Sequence, residues 1–301
     1  MDKVMIDQAE GLRRLLSRSG SRVVAVTGGS SHVGRTSTVV NLAAALAAQG
    51  KDVLVIDECL GENSVSAMLG GVSSARGAGG FNAVMRGEMP IEEAAARHPL
   101  GFSVLAAARH LSEGCAPEQF GAVLDGPADV VLIDAQLDRH GALSALAMRA
   151  HDVLIVTRVA ALAITEAYAC MKRLHYAHAI GQFRVLLNHV SSVADAHTAF
   201  ENLADVAGRY LTVQITDAGF VSSDPLMERS FELSRCVVDA FPSTPAARDY
   251  RHLAAEMLYW PMRAVTFSRA PHDAATQPAA TAVPAGLPQA RHADKPSAQH
   301  A

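Results

Sequence analysis

Gly28-Gly29-Ser30-Ser31-His32-Val33-Gly34-Arg35-Thr36-Ser37 constrains the fold more than any other passage. It follows a β-branched run, 22–27, and leads into the alanine- and leucine-rich stretch 35–49. Two glycines five residues apart, then a cation and a hydroxyl, form a frame in which backbone N–H groups wrap phosphates and a helix N-terminus faces their charge. The Thr36 hydroxyl stands where such loops hold Mg²⁺, and Arg35 stands where they usually carry lysine. Arginine keeps the charge but brings a longer planar group, which predicts phosphate binding with impaired transfer chemistry.

The same alternation continues along the chain. Strands are predicted at 22–27, 52–56, 102–106, 129–134, 152–157 and 183–187, and helices at 35–49, 91–97, 117–124, 162–174, 194–208 and 246–259. Several strands are unbroken Val/Leu/Ile runs, as in strands buried on both faces of a parallel sheet. The expected fold is α/β, a doubly wound, mainly parallel sheet of the P-loop NTPase kind, with ligands beyond the C-terminal strand ends. Residues 19–266 would form this domain. Residues 1–18 read as a short amphipathic helix ahead of it, and 267–301, rich in alanine and proline, as a disordered tail.

Composition narrows the function. With 26 basic and 30 acidic side chains the net charge is -4, which argues against strong DNA binding through overall charge. The four cysteines lack metal-ligand spacing and read as reduced thiols of a cytoplasmic protein. No run is long enough to span a bilayer, and the N-terminus is too charged for a secretion signal. A serine-hydrolase elbow and a dinucleotide GxGxxG turn are both missing.

The chain resembles the MinD/ParA group of deviant P-loop ATPases, and within it the FlhG (FleN) branch of flagellar number and placement regulators. The resemblance runs from about Asp7 to Tyr259. Asp7, Gln8, Ala9, Gly11, Leu12 and Arg13 match the DQAxGLR element with which that branch engages the signal-recognition-type GTPase FlhF. Val39-Val40-Asn41-Leu42-Ala43 matches the helix after the loop, 53–70 the strand and first switch, and Thr165-Glu166-Ala167-Tyr168 with Lys172 a TDAYxxxK helix start. The resemblance implies ATP or ADP with Mg²⁺, held by residues 29–37 together with Asp57, Asp134 and Asn188. Thr36, Asp57 and Asp134 would serve the metal, and Asn188 the adenine.

Three departures concern chemistry. The lysine that family members send to a partner subunit's nucleotide is Ser30, so ATP-clamped dimerisation loses its usual group. The water-orienting aspartate of the first switch is Cys59, and no catalytic residue stands out. The second switch, Asp134-Ala135-Gln136-Leu137-Asp138, lacks its glycine. Phosphoryl transfer depends on positioning and electrostatics, so ATP hydrolysis is expected to be weak or absent. A nucleotide-free scaffold and a ParA-type partitioning or secretion ATPase are the other readings. Branch members carry a C-terminal amphipathic helix for weak membrane-surface contact; here 251–263 is interrupted by Pro261, and Leu253, Met257 and Trp260 are expected to pack on the domain.

Overall fold

The computed structural model describes residues 20–59, 61–70 and 79–262. The expected N-terminal helix at 1–18 and the tail at 267–301 lie outside the described residues. Eight strands form one sheet in the order β3-β4-β2-β5-β1-β6-β7-β8. They are β1 Arg22–Gly28, β2 Val53–Asp57, β3 Ala96–Arg97, β4 Ser103–Ala106, β5 Val130–Asp134, β6 Asp152–Arg158, β7 Gln182–Val190 and β8 Gln214–Ser222. All neighbours run parallel except the short β3–β4 pair. The predicted parallel α/β sheet is therefore the observed fold.

The helices are α1 Arg35–Ala48, α2 Val65–Met68, α3 Gly79–Met85, α4 Ile91–Ala94, α5 Gly121–Leu124, α6 Ala161–His178, α7 Val193–Leu211, α8 Pro225–Glu232, α9 Val237–Ala240 and α10 Pro245–Met257. Alternation along the central strands sends Val24 and Val26 to one core and Val23 and Ala25 to the other. The first core packs under α1 and α10, with Leu42, Leu46 and Tyr250 fully buried. The second packs under α3, α5, α6 and α7, around Phe81, Leu174 and Phe183. Burial on both faces explains why these strands carry no polar alternation.

Two expectations shift. The helix predicted at 91–97 ends at Ala94, and Ala96–Arg97 pairs with β4 instead. The segment 117–124 is a 3₁₀ turn, Pro117–Phe120, followed by α5. At the chain's described end, Leu253, Met257 and Trp260 are buried in the domain. Arg184 stacks over the Trp260 ring at 4.1 Å, and Arg22 donates to the Trp260 carbonyl. Arg22 and Arg184 both pair with buried Asp152, at 3.2 and 2.8 Å, which fixes this corner beneath the strand N-termini. No helix among the described residues is long and apolar enough to cross a membrane.

Candidate nucleotide site

The C-terminal ends of β1, β2, β5 and β7 meet at the loop 28–34. Parallel register sets Asp57 beside Asp134 and Val26 beside the same aspartate, so the strand ends converge on one point. The loop then turns into α1 at Gly34, whose φ of 94° lies in the left-handed region that glycine accommodates. A Cβ there would sit 2.0 Å from Asn188 Nδ2. A Cβ on Gly29 would sit 2.2 Å from the Glu166 carbonyl oxygen, at the start of α6. Both glycines are thus required by close approach, one to β7 and one to α6. Asn188 Nδ2 donates to the Val33 carbonyl at 2.8 Å, and its Oδ1 accepts from His189 N. The asparagine fastens the loop.

No side chain caps the N-terminus of α1, and its first turn carries no acid. Its leading N–H groups are therefore available to an anion, with the helix dipole in support. The loop opens on a cleft of about 530 Å³ lined by Gly29, Ser30, Ser31, Arg35, Asp138, Arg139, His140 and Arg173, among others. Its charged lining is mainly cationic, as a phosphate chain requires. The curved loop, the uncapped helix and the glycine cradle fit a nucleoside phosphate.

Arg35 does not extend freely into that cleft. Its Nε donates to Asp134 Oδ1 at 2.6 Å, its Nη2 to Cys59 Sγ at 2.5 Å, and its Nη1 to the Ala135 carbonyl at 3.4 Å. Thr36 Oγ1 donates to the other Asp134 oxygen at 2.8 Å. Asp57 accepts from the backbone N–H groups of Cys59 at 3.1 Å and Ser66 at 3.4 Å. Asp57, Cys59 and Asp134 bring their ligand atoms within 4.8 Å of one another, all buried. Magnesium demands six oxygen ligands in a near-ideal octahedron. Here both Asp134 oxygens are engaged, a guanidinium lies among the acids, and the third member is a thiol. As arranged, this donor set does not fit magnesium.

Burial sets the titration behaviour. It pushes Asp57 up to about 7, reinforced by the adjacent Asp134 charge. It pushes the Cys59 thiol up to about 12, with Asp134 adding to it and Arg35 opposing, so the thiol stays protonated and unreactive near neutrality. Burial also raises Asp134, against the pull of Arg35 and Thr36. For Arg35, burial works against the charge, but Asp134, Cys59 and Asp57 together raise its pKa.

Glu58 escaped the sequence reading. It is 1% exposed, accepts from Ser144 Oγ, and accepts from Gln136 N at 3.1 Å. Burial pushes its carboxyl up to about 7, opposed by those hydrogen bonds and by Arg109. Arg109 in turn donates to the carbonyls of Gln136, Ala142 and Leu143 at 3.1 to 3.3 Å and reaches Asp138 at 3.5 Å. The segment after β5 is thereby tied down from two sides. Arg139, His140 and Arg173 of the cleft were also missed; the only sequence signal was that Arg173 follows Lys172 of the TDAYxxxK match.

A pH dependence follows. An acid whose folded pKa lies above its unfolded value stabilises the fold most below the unfolded value and loses that contribution as pH rises to the folded one. Asp57 and Glu58 therefore predict a melting temperature that falls between about pH 4 and pH 7. Glu58→Gln, which keeps an acceptor for Gln136 N and a group for Ser144, is expected to flatten that slope. An unchanged slope in thermal melts across this range would remove Glu58 from the account.

Sequence and structure comparisons agree with this geometry. A profile of the CobQ/CobB/MinD/ParA nucleotide binding domain matches residues 24–225. The chain belongs to that family. It is 29% identical over 265 residues to the antiactivator FleN of Pseudomonas aeruginosa, covering 84% of this chain and 92% of the relative. In fold it is similar to MinD in the MinC:MinD cell division complex of Aquifex aeolicus, with a TM-score of 0.62, 21% identity and coverage of 81% and 98%. MinD of Pyrococcus horikoshii complexed with Mg-ADP matches with a TM-score of 0.58, 21% identity and coverage of 79% and 96%. The chain is thus a MinD/ParA-family nucleotide-binding domain whose sequence is FlhG-like.

Proposed function

We propose that the chain is a nucleotide-binding regulator of flagellar number and placement that works through protein contacts and turns ATP over weakly or not at all. One observation carries the reading. The phosphate cradle keeps its glycine geometry, while the position the family gives to a water-orienting acid is Cys59, a buried thiol bonded to Arg35. Binding and hydrolysis use separable groups: the loop N–H groups, the α1 terminus and the cleft cations bind phosphate, whereas transfer needs a positioned water. Nothing at Cys59 can orient one as a carboxylate does. The segment after β5, held by Glu58 and Arg109, adds resistance to the switching that hydrolysis uses.

The relative named an antiactivator supports a role exercised on another protein. In this reading residues 1–18 act as a separate segment that engages an FlhF-like GTPase through Asp7, Gln8, Ala9, Gly11, Leu12 and Arg13. Residues 19–266 report nucleotide state, and 267–301 form a tail. The protein acts in the cytoplasm or at the inner membrane face.

Deleting residues 1–18 is expected to abolish stimulation of the partner GTPase and leave nucleotide binding unchanged. GTP turnover by FlhF, measured with full-length and truncated protein, checks this. Equal stimulation by both would sink the activator role without touching the nucleotide reading.

A further inference from the structure

The magnesium misfit leads beyond the family pattern. We propose that the Arg35 guanidinium is the resident cation of this site, standing in for magnesium and leaving nucleoside-phosphate binding independent of a divalent metal. The inference rests on the nucleotide reading above and concerns how that same site is charged.

Three observations converge on it. All three guanidinium nitrogens are engaged, by Asp134, Cys59 and Ala135, so the group is held in one plane. The Arg35 side chain is 23% exposed against 0% for Asp134, and it also lines the phosphate cleft. It therefore faces buried acid on one side and the space for phosphate on the other, as a bridging cation must. Finally, the Thr36 hydroxyl donates a hydrogen bond to Asp134 Oδ2 at 2.8 Å. Magnesium keeps oxygen ligands at about 2.0–2.1 Å and parts reluctantly with its waters. With Arg35 Nε on one Asp134 oxygen at 2.6 Å and Thr36 on the other, a hydrated ion would have to compete with a fixed cation for the same carboxylate.

Cys59 belongs to the same substitution. An acid there would add a third carboxylate around one guanidinium, whereas a cysteine leaves Asp57 and Asp134 as its acidic neighbours. Lysine cannot reproduce the arrangement, because a single nitrogen does not span an aspartate, a thiol and a backbone carbonyl in one plane.

The test titrates ADP onto full-length wild-type protein and onto Arg35→Lys by calorimetry, in excess EDTA and in millimolar magnesium. The wild-type Kd is expected to differ by less than about threefold between the two conditions, and Arg35→Lys to bind at least about tenfold more tightly with magnesium. Wild-type affinity that falls about tenfold or more in EDTA overturns the proposal. Metal-independent binding by both proteins also overturns it, since Arg35 would then not be the cause. If neither protein binds ADP, the nucleotide reading fails on its own, and manganese alone decides the inference. Electron paramagnetic resonance should then show Mn²⁺ taken up by Arg35→Lys and not by wild type. Equal behaviour of the two proteins contradicts it.

Discussion

Asp134→Ala is expected to lower stability by about 3–5 kcal/mol, the loss typical of a buried ion pair stripped of one partner. Asp134 is fully buried and receives both Arg35 and Thr36, at 2.6 and 2.8 Å. Without it the guanidinium keeps only a thiol and a carbonyl as direct partners, and the Thr36 hydroxyl is left with the Asn63 carbonyl at 3.2 Å. The effect belongs to the missing partner rather than to lost packing, so the double variant Arg35→Met, Asp134→Leu should recover much of the loss. Urea unfolding read through Trp260, the single tryptophan, measures both variants. A loss below about 1 kcal/mol for Asp134→Ala would mean the pair is not seated as described.

Gly29→Ala is expected to abolish nucleotide binding. The added methyl carbon would lie 2.2 Å from the Glu166 carbonyl oxygen, 2.3 Å from its carbon and 2.6 Å from Ala167 N. These are backbone atoms of the first turns of α6, so no rotamer change relieves the clash; the loop or the helix must move. Overpacking of this kind costs about 1–3 kcal/mol and distorts the cradle. Gly208→Ala is the matched control. It lies inside α7 with nothing within 4 Å of the new carbon, so it is expected to stabilise the protein by about 0.5–1 kcal/mol and leave nucleotide binding intact. Fluorescent-nucleotide binding and thermal melts separate the two. Normal binding by Gly29→Ala would place the phosphates elsewhere.

The central sheet was legible because its strands are buried on both faces, which writes them as apolar runs. β8 was not, since Gln214, Thr216 and Asp217 are exposed on an edge strand, and its pairing with β7 is broken by register shifts. The two-residue β3 is too short for any period to show. At the site, the loop spacing marked Gly29, Gly34, Arg35 and Thr36, the family resemblance added Asp57, Cys59 and Asp134, and the fold gathers them around one point. What spacing could not show was direction. Arg35, expected at phosphate, lines the cleft, and its hydrogen bonds also run to Asp134 and Cys59. Asn188 was expected at adenine, and its side chain holds the Val33 carbonyl. Glu58 was hidden by its position between Asp57 and Cys59, because only the tertiary fold brings Gln136 and Ser144 to it.

In the proposed reading the site holds a nucleotide and turns it over weakly or not at all. Full-length protein incubated with excess ATP, separated from free nucleotide by rapid gel filtration and assayed by ion-exchange chromatography reports occupancy and fate together. The expected result is close to one nucleotide per chain, recovered mostly as ATP. A protein peak free of nucleotide, or one carrying only ADP formed during the incubation, would contradict it.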